Sequence, residues 1–195
     1  MYILNHIILV VLWLLFGVLH SVLAAEWFKR LMQRRLGSRY KYYPFTYSVF
    51  AALTLSGILI FQLNIQSHLL YVAPRWVNIL LWLPVLAGLL IMAVVIKKYF
   101  FSLSGISVFY KHQPPVVLEQ GGLNRYVRHP LYFGTLLFVW ALFFVFPYVS
   151  NLLACIMITL YTITGAILEE KKLVKQFGEQ YILYKRQVPM LIPRF

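Results

Sequence analysis

Apolar residues gather in five blocks, roughly Ile3–Ala25, Pro44–Asn64, Trp76–Ile96, Leu131–Phe146 and Val149–Leu168. Each is long enough, or nearly so, for a helix to cross a hydrocarbon core of about 30 Å. The fourth is short, so it is expected to start below the interface or to pair closely with the fifth. Only Pro147-Tyr148 separates those two, which predicts a tight helical hairpin. After the last block, Leu173, Phe177, Tyr181, Tyr184 and Val188 recur at near-helical spacing. That pattern predicts an amphipathic helix from Glu169 to Val188 with one apolar face to cover. The segment Lys97–Pro130 is a loop of about 34 residues. Loops that long without structure of their own are uncommon and tend to be functional. Pro114-Pro115 and Gly121-Gly122 break it, while Ile106, Val108, Phe109, Val116, Val117 and Leu118 argue against a solvated coil. A folded cap over a polar pocket at the membrane interface is the expectation, because irregular backbone at that depth must be buried in protein or line a cavity.

Composition supports lipid as the solvent: 62% of the 195 residues are hydrophobic, against about 45–50% in soluble domains. The 18 Lys and Arg face only 5 acidic residues, none of them Asp, for a net charge of +13. Such an excess in a soluble chain would suggest nucleic acid, but its distribution says otherwise. Taking the blocks as spans, 17 of the 18 cations fall in alternate loops and the tail, leaving Arg75 alone on the other side. This is the positive-inside pattern. The predicted fold is an all-α integral membrane protein with five transmembrane helices, N-terminus outside and C-terminus cytoplasmic. Its pocket is cytoplasmic, capped by the long loop and the C-terminal amphipathic helix, and no nucleic-acid partner is expected. The first block has no basic n-region or small-residue cleavage site before it, so it is expected to stay as a helix rather than act as a signal peptide. Cys155 is the only cysteine. It lies in an apolar block, and a packing role is expected.

Specific chemistry concentrates in Gly121-Gly122-Leu123-Asn124-Arg125-Tyr126-Val127-Arg128-His129-Pro130-Leu131-Tyr132-Phe133-Gly134. Proline suits the first turn of a helix, whose free N–H groups favour an anion. Two readings stand: an interfacial basic anchor with Tyr126 and Tyr132 in the aromatic belt, or one wall of a ligand site. Glu169 and Glu170 sit where the fifth block leaves the membrane, and carboxylates there usually have a partner. They read either as a surface pair neutralised by nearby cations or as a ligand-facing group. His20-Ser21 lies within the first block, where a helix–helix hydrogen bond is the better reading than a substrate contact. No His or Cys spacing suits a metal, and no dinucleotide, Walker or nucleophile-elbow motif occurs.

The run from Gly122 through Tyr126–Gly134, with Glu169-Glu170, Phe177–Tyr181, Tyr184 and Val188–Pro193, resembles the isoprenylcysteine carboxyl methyltransferase superfamily. That superfamily also holds phospholipid N-methyltransferases, and the resemblance covers about residues 97–195. Trp13, Phe16-Gly17, His20-Ser21, Ala24 and Phe28-Lys29-Arg30 resemble its bacterial branch, which contains methanethiol S-methyltransferase and NnrU-like proteins. The resemblance implies a membrane methyltransferase using S-adenosylmethionine (SAM). It implies residues 1–96 as a three-helix substrate side, and 97–195 as the SAM-binding part with a helical hairpin and C-terminal helix. Leu118, Glu119, Gly122, Leu123, Asn124, Tyr126, His129, Pro130, Leu131, Tyr132, Glu169 and Glu170 would hold the cofactor. In the eukaryotic carboxyl methyltransferases an arginine lies four residues before the matching glutamate; here that position is Gly165. A thiol or other small or lipidic acceptor is therefore expected over a carboxylate, with Arg128 as its electrostatic partner and His129 as its base. In bacteria the location would be the inner membrane. Competing readings are an NADPH-dependent membrane reductase of the sterol reductase type and a non-catalytic protein keeping the fold.

Overall fold

The computed structural model describes residues 2–103 and 117–193. Seven α-helices follow one another: α1 Tyr2–Ala24, α2 Glu26–Leu36, α3 Tyr43–Asn64, α4 Arg75–Leu103, α5 Pro130–Val145, α6 Val149–Phe177 and α7 Glu179–Gln187. There is no strand among the described residues, only one bridge between Leu69 and Tyr148. Four helical stretches are long and apolar enough to cross a membrane: Tyr2–Ala24, Glu26–Asn64, Arg75–Tyr99 and Val149–Phe177. The chain is an all-α, multi-pass membrane protein. Helix α5 is equally apolar but has 16 residues, about 24 Å at about 1.5 Å per residue. The proline pair at 114–115 and the apolar positions 106–109 and 116 lie outside the described residues.

Every apolar block became a helix, but two helices run further than the blocks. Helix α4 continues past Ile96 to Leu103, and α6 past Leu168 to Phe177. The expected single helix from Glu169 to Val188 is therefore two pieces. Glu169 and Glu170 belong to the last turns of α6, which add backbone hydrogen bonds until Gly178 takes φ +56° and ends the ladder. The basic segment after α1 is also helical. In α2, Glu26 stands in the first turn and Arg34 and Arg35 in the last, so each complements the helix dipole.

The described residues form two compact units: 2–68, 99–103 and 149–157 in one, 69–98, 117–148 and 158–193 in the other. In the first, α1 packs on α3, and polar side chains pair across the apolar interior. Gln62 donates to Asn151 Oδ1 (2.9 Å), and the indole of Trp13 reaches Gln62 (3.4 Å). The hydroxyl of Tyr47 lies 2.8 Å from His20 Nε2, the helix–helix hydrogen bond expected of that histidine. Such pairs are the usual glue between helices in lipid, where burial alone favours no association. Cys155 is buried.

In the second unit, α4 meets α5 at two glycines. A Cβ on Gly88 would lie 2.7 Å from the Phe138 backbone nitrogen, and one on Gly134 would lie 2.8 Å from Ile91 Cγ2. Only hydrogen fits at this approach, which small residues commonly allow between membrane helices. Val85, Ala141 and Val145 form the adjoining core, with Leu81 and Phe138 packed against it. The hairpin between α5 and α6 is pinned by Leu70 N–H to Pro147 O (2.8 Å) and by Tyr71 to Phe144 O (3.1 Å).

Candidate functional site

The glycine-rich stretch folds tightly just ahead of α5. Gly122, at φ +60°, opens a 3-10 turn over Gly122–Arg125, and Leu123 O accepts from Tyr126 and Val127 N–H. Two residues then pair with the tail in extended fashion: Arg128 N–H donates to Pro189 O (2.9 Å) and His129 N–H to Met190 O (3.2 Å). Pro130 begins α5 at its first turn, where its fixed φ is preorganised and its missing N–H is not needed. The loop and the tail, far apart in sequence, thus share main-chain hydrogen bonds. Tyr181, Tyr184 and Val188 form a buried cluster on the tail, covered in part by Leu118, Leu173 and Phe177.

Ion pairs lock this junction. Arg128 Nε and Nη2 both lie 2.6 Å from Glu170 Oε1, with the two side chains each only 8% exposed. Arg128 Nη1 donates to the carbonyls of Lys185 (3.1 Å) and Val188. Lys185 Nζ takes the other oxygen of Glu170 at 2.8 Å. Sequence reasoning cast Arg128 as a cation beside the acceptor, whereas its fork is spent on Glu170 and two tail carbonyls. Two guanidinium nitrogens closing on one carboxylate oxygen, with the third on tail carbonyls, fix the orientation of the fork as well as its charge.

Glu169 is the freer carboxylate, 46% exposed. The hydroxyl of Tyr132 donates to its Oε2 (3.1 Å), and the Tyr132 ring stacks on His129 with centroids 5.4 Å apart and planes 16° from parallel. His129 Nδ1 lies 3.6 Å from Glu169 Oε2, and Nε2 lies 3.5 Å from Glu170 Oε1. A Cβ on Gly165 would lie 3.8 Å from the Tyr132 hydroxyl, so that position borders the same group. Among the described residues, His129 Nε2 and the Tyr181 hydroxyl are buried without a hydrogen-bond partner. Buried polar atoms are rarely left so. The half-exposed carboxylate of Glu169 beside the Tyr132 phenol suits a polar guest that carries a cation and hydroxyl groups.

Burial holds the His129 pKa below its ordinary 6.5, and the carboxylates of Glu169 and Glu170 only partly offset this. The imidazole is neutral near pH 7. Because the folded value lies below the unfolded one, its contribution is intact above about pH 6.5 and is lost as pH falls through the lowered value. Melting temperature should accordingly drop between pH 6.5 and 5, and the drop should be smaller in His129→Gln. An equal slope in parent and variant would assign the acid sensitivity elsewhere. Burial also pushes the Tyr181 hydroxyl up, with Glu170 adding to the effect.

The remaining sequence-predicted residues divide. Asn124 bridges the junction, its amide donating to Arg128 O (3.2 Å) and its carbonyl accepting from the Tyr184 hydroxyl (2.6 Å). Leu123 and Leu131 contribute backbone carbonyls to local turns. Glu119 pairs with Lys98 at 2.8 Å and accepts from Gly121 N–H, and the Lys98 bond holds its carboxyl below the usual range. Tyr126 is 51% exposed. Lys185, Tyr181 and Tyr184 were not predicted as site residues. The Tyr pair was visible as an apolar stripe, but nothing in the sequence singled out Lys185.

Comparison with known proteins matches residues 8–190 to the NnrU protein family. The chain belongs to the NnrU family. Relatives of this chain include the methanethiol S-methyltransferase of Crocosphaera subtropica, 31% identical over an alignment of 195 positions that covers 92% of this chain and 71% of that one. The methanethiol S-methyltransferase of a Pseudomonas species is 31% identical over 191 residues, 92% of this chain and 70% of its own. The protein-S-isoprenylcysteine O-methyltransferase of Schizosaccharomyces pombe is 36% identical over 80 residues, 40% of this chain and 33% of its own. These relatives bear out the superfamily resemblance read from Gly122–Gly134 and Glu169-Glu170. No solved structure matches the chain.

Proposed function

We propose that this NnrU-family chain is a SAM-dependent membrane methyltransferase whose acceptor is a thiol, small or lipidic, rather than a carboxylate. The observation that carries the reading is the junction itself: Glu169 half-exposed beside Tyr132 and His129. The names of the relatives supply the reaction class. SAM, when bound, would supply a methyl group on a positively charged sulfur. Glu169 and Tyr132 would hold its polar, cation-bearing end, with Leu118, Gly122, Leu123, Asn124, Pro130 and Leu131 forming the surrounding wall. Glu170 shapes that wall through Arg128.

In this reading His129, neutral and buried, would first accept the thiol proton, so that a thiolate displaces the neutral thioether of SAM as the new sulfur–carbon bond forms. Opposite charges disappear on the way to that transition state, so a water-poor site favours it. Arg128 then acts as a positioning residue, through Glu170 and the tail. Gly165 stands where the eukaryotic carboxyl methyltransferases carry an arginine, and this supports a thiol over a carboxylate acceptor. In this reading the chain crosses the inner membrane five times, N-terminus outside, with the junction cytoplasmic, residues 1–96 on the acceptor side and 97–195 holding SAM; alternate-loop charge is its support.

The test is a radiolabelled-methyl assay with the protein in native membranes, offering small thiols, prenylcysteine analogues and aminophospholipids, alongside calorimetry with SAM and with NADPH. Label in thiols and heat with SAM are expected. Heat with NADPH alone, or with neither ligand, would sink the methyltransferase reading, and label only in carboxylates would sink the thiol assignment.

A further inference from the structure

Between α1 and α3, within the first unit, lies a cavity of about 350 Å³. That volume is at the lower end of small-molecule sites. It far exceeds what a molecule of two heavy atoms needs, given about 30 Å³ for a water. Its walls are aliphatic and aromatic and contain no charged side chain; His20, Tyr47 and Thr54 are its only polar side chains. Thr54 turns its hydroxyl back onto its own helix, to Phe50 O at 2.8 Å. The polar end is therefore the His20–Tyr47 pair, eight residues along α1 from Leu12 at the other end, a separation of about 12 Å at about 1.5 Å per residue. Leu15, Leu19 and Phe50 at its rim are 52%, 45% and 43% exposed. Both helices belong to membrane-length stretches, so whatever enters past that rim comes dissolved in lipid.

We propose that this cavity binds a single-chain, uncharged amphiphile whose hydroxyl or thiol head reaches the His20–Tyr47 pair. A charged head is excluded because nothing in the wall would compensate its desolvation. A plain hydrocarbon makes no hydrogen bond to that end, whereas a phenol oxygen can accept one besides donating its own proton. A thiol occupant touches the acceptor side assigned to residues 1–96, but the test reads binding without SAM, so its failure is distinct from that of the methyl-transfer reading.

Gly57 supplies a clean probe. It borders the cavity, and a Cβ there would meet nothing within 4 Å. Leucine at that position adds side-chain bulk beside the cavity, starting from a Cβ that meets no protein atom. The experiment uses the full chain in phosphatidylcholine nanodiscs and a diazirine-tipped octanethiol as photoprobe, with labelled peptides mapped by mass spectrometry. Label should concentrate on 12–20 and 47–58, and 1-octanol or 1-octanethiol should compete at least about tenfold better than nonane or octanoate. Gly57→Leu should reduce the label to background at an unchanged melting temperature. Tyr47→Phe should keep the label but erase the preference for octanol over nonane. If Gly57→Leu melts lower, Tyr47→Phe decides alone. Label spread evenly over the lipid-facing helices, equal competition by nonane, or full label in a well-folded Gly57→Leu would overturn the proposal. The second of these would mean that lipid acyl chains fill the cavity.

Discussion

Arg128→Ala is expected to destabilise the protein by about 3 kcal/mol or more and to free the C-terminal segment. Removing one partner of a buried ion pair leaves the other charge uncompensated, typically at about 3–5 kcal/mol. Lys185 still faces Glu170, which places the loss toward the lower end. The carbonyls of Lys185 and Val188 also lose their donor. Thermal melting in detergent reads the loss, and limited proteolysis after α6 reads the released tail. Arg128→Lys should fall between parent and alanine, because an ammonium keeps the charge but not the fork. Replacing Arg128 and Glu170 together by methionine should be milder than the sum of the single changes. A change under about 1 kcal/mol for Arg128→Ala would mean that the junction is wetter than its 8% side-chain exposure indicates.

Glu169→Gln is expected to weaken SAM binding by about 10–100-fold while leaving melting near that of the parent. Glu169 is half-exposed and takes no part in the lock between Arg128, Glu170 and Lys185. Its loss therefore touches the ligand more than the fold. A hydrogen bond to a charged group contributes about 1.5–3 kcal/mol, which corresponds to about that range in affinity. His129→Ala should go further and abolish detectable binding, with a modest drop in melting because the ring is buried against Tyr132. Titration calorimetry measures both. If both variants bind SAM like the parent, the cofactor lies elsewhere.

Much of this fold was legible because lipid imposes a coarse rule. Apolar blocks of the right length must be helices, and all five blocks are. What escaped were features decided by contacts rather than by hydropathy. The basic segment that became α2 looked like a loop because its charges masked a helical run. Gly178 was in plain view, yet the apolar stripe ran on beyond it from Leu173 to Val188 and read as one helix. The site was legible as a neighbourhood, with Arg128, His129, Tyr132 and Glu169 brought together as expected. The division of labour between its two glutamates was not. Glu169 and Glu170 are adjacent and chemically identical in sequence; only the helix rotation between neighbouring residues turns one toward Arg128 and Lys185 and leaves the other open. Lys185 carries no sequence mark, because its partner lies in a helix that had to be placed first.

The hydrogen bonds from Arg128 and His129 to the tail carbonyls also bear on how the protein is made. The 3-10 turn and the start of α5 leave the ribosome well before Lys185–Met190 exist. The delay is roughly 60 residues, about 3–12 s at about 5–20 residues per second. For roughly the first 40 of those residues Arg128 and His129 lack Glu170, and throughout the interval they lack the tail carbonyls. The nascent chain must therefore leave this junction open until residues 185–190 arrive. The site is closed by synthesis order, from the C-terminal side.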